Sequence, residues 1–311
     1  MAKKKIGSYE FRYYELPTDF PILALMGESW IRCYDQVDQL HFHNHLEIGH
    51  CISGNGNIRI EDKFLRFSPG SVTVIPANVP HATNSDGFTM SHWEYLFVDI
   101  EGFLKMLYAD NPFWVKKFSA QVECNAYIYA SKENKALLDV ILHIMEEMKC
   151  KCHHYREYVK ALIIPLLIEI NRINHENKNG VVTAPNSTNV IASALEYISS
   201  HYMEDIKIAM LAEISHMSES HFRRVFQEIV DLKPLDYINT IRVRMSCVML
   251  RSTDDCVSEI AFKCGFPAIS TFNRNFYRVM GMTPLKWRND PETKKKELKN
   301  YEIKTLYGWL E

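Results

Sequence analysis

The last third of the sequence contains an internal repeat, and this repeat limits the folds that the region can adopt. Residues 211–237 and 260–287 align in order, at an offset of 49 residues at first and 50 after one inserted residue. The matched pairs are Ala212/Ala261, Met217/Phe266, Phe222/Phe272, Arg224/Arg274, Phe226/Phe276, Asp231/Gly281, Pro234/Pro284 and Tyr237/Trp287. Eight ordered matches predict two copies of one structural unit.

Each copy is predicted to be a short helix, a tight turn and a second helix. At the turn, Gly265 of the second copy takes a positive φ freely. His216 stands there in the first copy and is one of the few other residue types that tolerate this conformation. The predicted ends of the second helices and starts of the next ones are Asp231, Gly281, Pro234 and Pro284.

This pattern predicts a tandem helix-turn-helix, whose second helices can enter a DNA major groove. Arg reads guanine, and Asn and Gln read adenine, by paired hydrogen bonds. A helix over 235–251, about 25 Å long at 1.5 Å per residue, joins the units. The outward positions of the two second helices are Ser218, Glu219, Ser220, Arg223, Arg224 and Gln227, and Ile269, Ser270, Asn273, Arg274 and Arg278.

Net charge does not support DNA binding by itself. Residues 189–290 contain twelve Lys or Arg and twelve Asp or Glu, and the whole chain has a formal net charge of −2. The alternative is a helical bundle with amphipathic faces. The repeat nevertheless places arginine at two equivalent outward positions, 224 and 274, which a bundle does not need. The distribution of charge therefore favours a DNA partner.

The N-terminal region has a dense group of metal-ligating side chains in "HFHNHLEIG" (41–49). His41, His43, His45 and Glu47 are two residues apart, so on a strand they share one face. Short alternating runs with turn residues predict a β sandwich or small barrel over 6–130. "SGNG" at 53–56 predicts a hairpin.

Residues 131–176 are predicted to form a helical pair, because apolar residues recur there at helical spacing. The stripes either pack on the chain's own sheet or bury a second subunit. "CKCHH" (150–154) is predicted to be a helix end and turn rather than a zinc site. Residues 177–189 are a polar linker candidate, and the charged tail 291–311 has no predicted role.

The start of the chain lacks a signal peptide, and its longest apolar stretch is too short to span a bilayer. Eight cysteines in mostly apolar settings are typical of reduced thiols. We therefore expect a cytoplasmic protein with no membrane partner.

Residues 190–290 closely resemble the AraC/XylS family of bacterial transcription regulators. The signature is carried by "STDDCVSEIAFKCGFPAISTFNRNFYRVMGMTPLKWR" (252–288). The resemblance implies a domain of two helix-turn-helix units, 190–290, that binds a double-stranded DNA operator. It implies base contacts by Ser220, Arg223, Arg224, Ile269, Ser270, Asn273 and Arg274. Pro267-Ala268 and Lys207 depart from the family, which often has helix-capping residues at these positions.

The N-terminal third resembles a cupin, the usual sensor of that family. His41, His43 and Glu47 match the first cupin motif, followed by Gly54. The second motif is matched by Gly70, Pro76 and His81, with Asn78 in place of a common Gly. In metal cupins these two His, the Glu and the later His converge on one ion. Here His41, His43, Glu47 and His81 would hold a divalent transition metal such as Fe, Mn, Ni or Zn.

The predicted fold class is thus an N-terminal all-β cupin-like barrel (1–130) followed by an α-helical pair (131–176), and a C-terminal all-α tandem helix-turn-helix. The histidine cluster has a second interpretation as the polar lining of an effector pocket without any cofactor. The effector would be a sugar or related small polar metabolite, and a stacking wall could be supplied by Trp30, Tyr34, Trp93 and Tyr95. The residues predicted to bind it are His41, His43, His45, Glu47, His81 and Trp93.

The predicted function is a ligand-responsive, non-enzymatic DNA-binding regulator. It is expected to act as a homodimer and to contact RNA polymerase if it activates transcription. The alternative is a metal-dependent cupin enzyme fused to a DNA-binding domain. The sequence assigns no catalytic residue.

Overall fold

The computed structural model describes residues 10–14, 16, 19–34, 40–60, 63–130, 134–176, 181–182 and 189–289. Strands and then helices fill the first part of the chain, and helices alone fill the last part, so the predicted fold class is confirmed. The chain divides into two compact units, largely residues 14–186 and 187–306. The tail 291–311 lies outside the described residues.

Twelve strands occur in the described residues. In chain order they are β1 (Glu10–Arg12), β2 (Ile22–Leu25), β3 (Ile31–Arg32), β4 (His41–His43), β5 (Leu46–Ser53), β6 (Gly56–Ile60), β7 (Lys63–Phe67), β8 (Val72–Ile75), β9 (His81–Ser85), β10 (Ser91–Val98), β11 (Asn125–Tyr129) and β12 (Val181–Val182).

The strands of the N-terminal unit form two antiparallel sheets and are not closed into one barrel. In the first sheet the neighbours are β4, β9, β6 and β7, in that order. The second has the order β12-β11-β8-β5-β10-β2, and β3 also pairs with β10. Alternation along β5 gives the second sheet two distinct faces, with Leu46 and Ile48 on one side and Glu47 and Gly49 on the other.

The predicted hairpin at 53–56 is wrong, although the turn is present. Gly54-Asn55 joins β5 to β6, but β5 pairs with β8 and β10 while β6 pairs with β7 and β9. Gly54 has a φ of 95°, and a Cβ there would lie 2.7 Å from the Ser91 Cα. This glycine therefore lets the chain turn a tight corner from one sheet into the other.

The interval 6–130 is not all β, because two helices lie between β10 and β11. They are α1 (Ile100–Leu107) and α2 (Pro112–Val122). Each begins with a side-chain cap: the Gly102 amide donates to Asp99 at 2.9 Å, and the Trp114 amide donates to Asn111 at 3.1 Å. An Asp or Asn before a helical apolar spacing is a local signal that the strand prediction overlooked.

The predicted helical pair is present as α3 (Lys135–Cys150) and α4 (Tyr155–Glu176), with "CKCHH" at the end of α3 and in the turn. Both helices pack on the Leu46 and Ile48 face of the second sheet. Their apolar stripes are buried there within the same chain, including Leu137, Ile141, Ile144, Met145, Val159, Ile163, Leu166, Leu167, Ile170 and Ile173. Because the chain's own sheet fills these stripes, the homodimer stays a prediction.

The predicted linker 177–189 contains β12, which pairs with Asn125 and Ala126 of β11. Most of the remaining linker lies outside the described residues. Within the part of the chain that the structure describes, the helices are too short or too polar to cross a membrane.

The C-terminal unit contains seven helices in its described residues, and the repeat is visible as two helix-turn-helix units. The helices are α5 (Asn189–His201), α6 (Ile208–Ile214), α7 (Glu219–Val230), α8 (Pro234–Ser252), α9 (Val257–Lys263), α10 (Ile269–Met280) and α11 (Pro284–Asn289). Helices α6 and α7 form the first unit, α9 and α10 the second, and α8 joins them. At 1.5 Å per residue α8 is about 28 Å long.

The two turns have the same hydrogen bonds, as the alignment predicts. His216 and Gly265 have φ values of 54° and 81°. The Met217 amide donates to the Ala212 carbonyl at 2.8 Å, and the Phe266 amide donates to the Ala261 carbonyl at 3.0 Å. This is the hydrogen bond of a helix that ends in a left-handed residue.

The later predicted boundaries are also confirmed. Asp231 and Gly281 follow α7 and α10 with φ values of 59° and 72°, and α8 and α11 begin at Pro234 and Pro284. Ser218 caps α7, whereas Ala268, which precedes α10, gives no side-chain cap. Lys207 likewise gives α6 no side-chain cap. The two departures from the family pattern therefore leave both helix starts without this stabilisation.

The loop between α5 and α6 contacts both the helix that joins the two helix-turn-helix units and the turn of the second unit. Arg242 of α8 is buried, and it donates to the carbonyls of Tyr202 and Glu204 at 2.7 Å each. The same loop lies against the turn of the second unit, where a Cβ on Gly265 would be 2.7 Å from the carbonyl oxygens of Tyr202 and Met203. Gly265 is therefore required by its positive φ and by the close approach of this loop.

We expect Gly265→Ala to lower the free energy of unfolding of the C-terminal unit by about 2–4 kcal/mol, because a strained φ and a backbone clash add. Gly281→Ala is the matched control, since its φ is also positive but no atom lies within 4 Å of the added Cβ. It should cost about 1–2 kcal/mol. Urea unfolding of the full chain measures both, and equal costs would show that the close approach does not matter.

Candidate functional site

The first sheet brings three histidines together. His41 of β4 and His81 of β9 are paired in register, and their rings lie 4.3 Å apart. His43 is two residues along β4 and lies on the same face, with its ring 5.0 Å from that of His81. All three side chains are buried.

Glu47 reaches this group from β5 of the second sheet. One of its carboxylate oxygens lies 3.1 Å from His43 Nε2, and the other lies 3.5 Å from His81 Nε2. Donor atoms of His41, Glu47 and His81 all lie within 4.8 Å of one another. The two sheets therefore converge on a buried polar cluster made of His41, His43, Glu47 and His81.

Backbone hydrogen bonds orient two imidazoles of the cluster. His43 Nδ1 lies 2.8 Å from the His45 carbonyl, and His81 Nδ1 lies 2.9 Å from the Val79 carbonyl. A carbonyl only accepts, so each Nδ1 donates. In a neutral imidazole Nε2 then has a lone pair, and it faces the Glu47 carboxylate in both residues.

The charge balance of the cluster requires a positive charge beside Glu47, from a proton on an imidazole or from a bound metal ion. Burial lowers the pKa of His43. Burial also raises the pKa of Glu47, but His81 and His43 outweigh this effect and hold that pKa below its ordinary value. An ionised carboxylate that faces imidazole lone pairs is stable only with a proton or metal ion between them. The donor set of imidazoles and one carboxylate fits a divalent transition metal.

His45 does not join this cluster. Strand β4 ends at His43, and a bend at Asn44 and His45 precedes β5. The His45 Nε2 lies 2.9 Å from the Tyr14 carbonyl, and burial lowers the pKa of His45 to about 4. The expectation that four residues share one continuous strand face is therefore wrong for His45.

The predicted aromatic wall is present, and its β10 residues lie on the same face of the second sheet as Glu47. Trp93 and Tyr95 are stacked with ring centroids 5.9 Å apart, and Trp30 meets Tyr95 edge-on at 5.4 Å. The Tyr34 hydroxyl donates to the Trp30 carbonyl at 3.4 Å. Trp93 Nε1 is buried, and among the described residues it has no acceptor. It is thus a donor available to a polar ligand.

Two residues beside this wall were missed by sequence reasoning. The Gly49 amide donates to Thr73 Oγ1 at 3.1 Å, and both residues are buried. A Cβ on Gly49 would lie 2.5 Å from that oxygen and 3.2 Å from the rings of Trp93 and Tyr95. A glycine within a strand was the available signal for this close packing.

The turn before β9 positions His81. Asn78 has a φ of 63°, which explains why it can replace a glycine, and its amide donates to the His43 carbonyl at 2.7 Å. The neighbouring Ala77 amide donates to Glu123 at the end of α2, at 3.3 Å. Burial raises the pKa of Glu123 to about 7.

The outward residues of α7 and α10 lie where the repeat predicts them. Exposed positions include Ser220, Arg223, Arg224, Gln227, Ile269, Ser270, Asn273 and Arg274. On α7 each arginine pairs with a carboxylate of its own helix. Arg223 lies 2.6 Å from Glu219, and Arg224 lies 3.1 Å from Glu228. These ion pairs hold the two guanidinium groups on the solvent side of α7.

Two family models match the chain. An AraC-like ligand binding domain matches residues 31–167, and a helix-turn-helix domain matches residues 211–290. The first match contains the histidine cluster and all of the aromatic wall except Trp30. The second begins within α6 and contains the rest of both helix-turn-helix units.

Similar proteins are known. A Staphylococcus aureus protein described as an uncharacterized HTH-type transcriptional regulator is 27% identical over 135 residues, which is 43% of this chain and 17% of that protein. The chain thus matches less than a fifth of that relative's length. The probable transcriptional regulator LumQ of Photobacterium leiognathi is 22% identical over 83% of this chain and 95% of its own length. The DNA-binding domain of AdpA, solved in complex with a target DNA, is 27% identical with a TM-score of 0.32, and covers 34% of this chain and 95% of that one.

The raised pKa of Glu123 predicts a pH dependence. Its folded pKa of about 7 exceeds the ordinary value of 4.5, so its contribution to stability is full below pH 4.5 and is lost as the pH rises through 7. Glu123→Gln should remove this loss. The stability of the variant relative to the natural chain should then grow by about 3 kcal/mol between pH 4.5 and pH 8.

Chemical denaturation of the full chain at both pH values measures this change. Exposed Glu176→Gln in the same unit is the control and should show little change between the two pH values. A stability difference between Glu123→Gln and the natural chain that is independent of pH would contradict the assignment.

Proposed function

Because the chain belongs to the AraC family of transcriptional regulators, we propose that it is a ligand-responsive regulator. In this proposal the tandem helix-turn-helix binds operator DNA, and a small polar effector binds in the N-terminal unit. The effector changes the affinity for DNA.

The observation that carries the proposal is the repeated, solvent-facing polar surface of α7 and α10. Both helices bury two phenylalanines against their own unit and expose serine and arginine at equivalent positions. Ser220 and Arg224 correspond to Ser270 and Arg274. A helix held in this way on a helix-turn-helix is suited to lie in a major groove.

The effector site is proposed at the cluster of His41, His43, Glu47 and His81. These groups and Trp93 Nε1 offer acceptors and donors in a buried setting, beside the aromatic face of Trp93 and Tyr95. A hydroxylated, ring-shaped molecule fits this chemistry, because its faces stack on aromatic rings and its edges form hydrogen bonds. The proposed effector class is therefore a sugar or related polar metabolite.

A metal ion is a second candidate occupant of the same cluster. His41, Glu47 and His81 would hold it, with His43 adjacent, because their donor atoms already converge. The positive charge of the ion would balance the negative charge of the Glu47 carboxylate. The ion would also polarise a bound oxygen atom. This donor set is the observation that favours the alternative of a metal-dependent cupin enzyme fused to a DNA-binding domain.

The regulatory mechanism we propose is a shift between two states of the protein. An effector with different affinities for these states changes their populations and thereby the affinity for DNA. A homodimer would present four helix-turn-helix units to two half-sites. Contact with RNA polymerase during activation, and a cytoplasmic location, belong to the same proposal.

The direct test starts with selection of preferred duplexes from a random DNA pool by the full chain. Sugars and related metabolites are then screened by thermal shift, and those that stabilise the protein are added to a DNA titration. A stabilising molecule that changes DNA affinity supports the proposal. Stabilising molecules that never change DNA affinity would count against it.

We expect Arg224→Ala to weaken binding to the selected duplex by about 1–3 kcal/mol, since the substitution removes a guanidinium that binds a base. Arg172→Ala is a matched control, because Arg172 is also exposed and paired with a glutamate of its own helix, Glu169, but lies in the N-terminal unit. Gel-shift titration measures both variants. Unchanged affinity of Arg224→Ala would refute the assigned role.

For the metal candidate, we expect Glu47→Gln to weaken divalent metal binding at least about 100-fold, because the substitution removes the only carboxylate of the convergent donor set. Glu94→Gln is the control, since Glu94 is an equally buried glutamate that pairs with Lys149 elsewhere in the unit. Calorimetric titration with Zn²⁺ or Mn²⁺ measures the change. Equal metal binding by both variants would show that this cluster does not bind the metal.

A further inference from the structure

The two helices that face outward have the same backbone but different electrostatics. At the offset of 50 residues, Glu219 of α7 corresponds to Ile269 of α10, and Glu228 corresponds to Arg278. On α7 the two arginines are balanced by two glutamates. On α10 neither an Asp nor a Glu occurs, and arginines stand at 274 and 278.

The arginines of α10 are one helical turn apart, an arrangement that destabilises a helix by like-charge repulsion. Arg278 is partly compensated, since its Nη1 lies 2.6 Å from Asp236 of α8 and its Nη2 donates to Asn275 at 2.8 Å. Arg274 is exposed, and no carboxylate of the described residues forms an ion pair with it. By contrast, the equivalent Arg224 pairs with Glu228.

Both arginines line one groove between α10 and the start of α8. Its volume is about 740 Å³. The other polar side chains that line this groove include Asp236, Asn239, Thr271, Asn275 and Asp205, whose carboxylate pairs with Lys207 at 2.5 Å. Two like charges that face one groove are stabilised by an anion placed between them.

We propose that this groove binds a phosphate of the DNA backbone, held by Arg274 together with Arg278. The proposal rests on the proposed function, and it changes the role of Arg274 from reading a base to binding the backbone. The second unit then supplies affinity that does not depend on sequence. The first unit reads the bases. There Arg224 forms an ion pair with Glu228 of the same helix.

The position of the groove supports a backbone phosphate as its occupant. Arg274 belongs both to the groove and to the exposed face of α10 that contains Ser270 and Asn273. A DNA strand lying along that face would therefore pass over the groove. In the free protein the Asp236 carboxylate pairs with the guanidinium of Arg278. It therefore competes with the DNA phosphate for Arg278 and limits binding to unrelated DNA.

The test compares Arg274→Ala with Arg224→Ala in the full chain, because the two exposed residues are equivalent in the repeat. The probes are a duplex selected by the natural chain and a scrambled duplex of the same composition. Binding is titrated at several NaCl concentrations. A variant that binds one phosphate fewer has a slope of log affinity against log salt that is smaller by about 0.9.

Arg274→Ala should weaken binding to both duplexes by a similar factor and reduce the salt slope by about 0.9 on each. Arg224→Ala should weaken binding to the selected duplex more than to the scrambled one. Weaker binding of Arg274→Ala to the selected duplex alone, with an unchanged slope, would overturn the proposal. It would show that Arg274 reads a base.

Asp236→Asn provides an independent readout, because it releases Arg278 without removing either arginine. It should tighten binding to both duplexes and make the salt slope steeper; unchanged binding and slope would contradict the competition. If the natural chain binds both duplexes equally, the proposed regulatory function fails. The groove is still tested by the salt slope of Arg274→Ala on the scrambled duplex.

Discussion

Alternation along β5 is the constraint on which the N-terminal unit depends. Leu46 and Ile48 point to one side of the sheet, where they meet α3 and α4 in the apolar core. Glu47 and Gly49 point to the other side, towards the histidines of β4 and the rings of β10. A shift of one residue in this strand would bury the carboxylate in the helical core and expose leucine to the polar cluster. The same strand therefore holds the core and the candidate site in register.

The candidate site lowers the stability of the fold, and its surroundings do not offset this loss. Glu47 is buried with its charge, and backbone carbonyls orient the imidazoles of His43 and His81 that face it. Replacement of the group by apolar residues would serve stability better. Local conflicts of this kind are expected where a site is built for a ligand. The indole nitrogen of Trp93, which has no acceptor among the described residues, is a second such conflict on the same face.

Features set by short-range chemistry could be predicted from the sequence, and features set by long-range pairing could not. The positive φ at Gly265 and His216 follows from residue type and repeat, as do the helix starts at Pro234 and Pro284. The histidine cluster could be predicted because His41, His43 and Glu47 share a strand-like spacing and a family motif. The bend that removes His45, and the corner at Gly54 that sends β6 into another sheet, depend on the partners each strand finds in space. Gly54 alone signals a turn but not its destination.

The duplicated unit shows how far equivalence in a repeat extends. The buried face is held in common, because Ala212 and Ala261, Phe222 and Phe272 must fill the same space in each copy. The solvent face has no such constraint, and there Glu228 corresponds to Arg278. Arg242 and Gly265 fix the two copies against one loop, so the position of one outward helix determines that of the other. Once the first helix is held by base contacts, a second helix at a fixed distance needs only an anchor on the backbone. Rigid coupling thus frees the second copy from reading sequence, and the absence of acidic residues from α10 is consistent with that role.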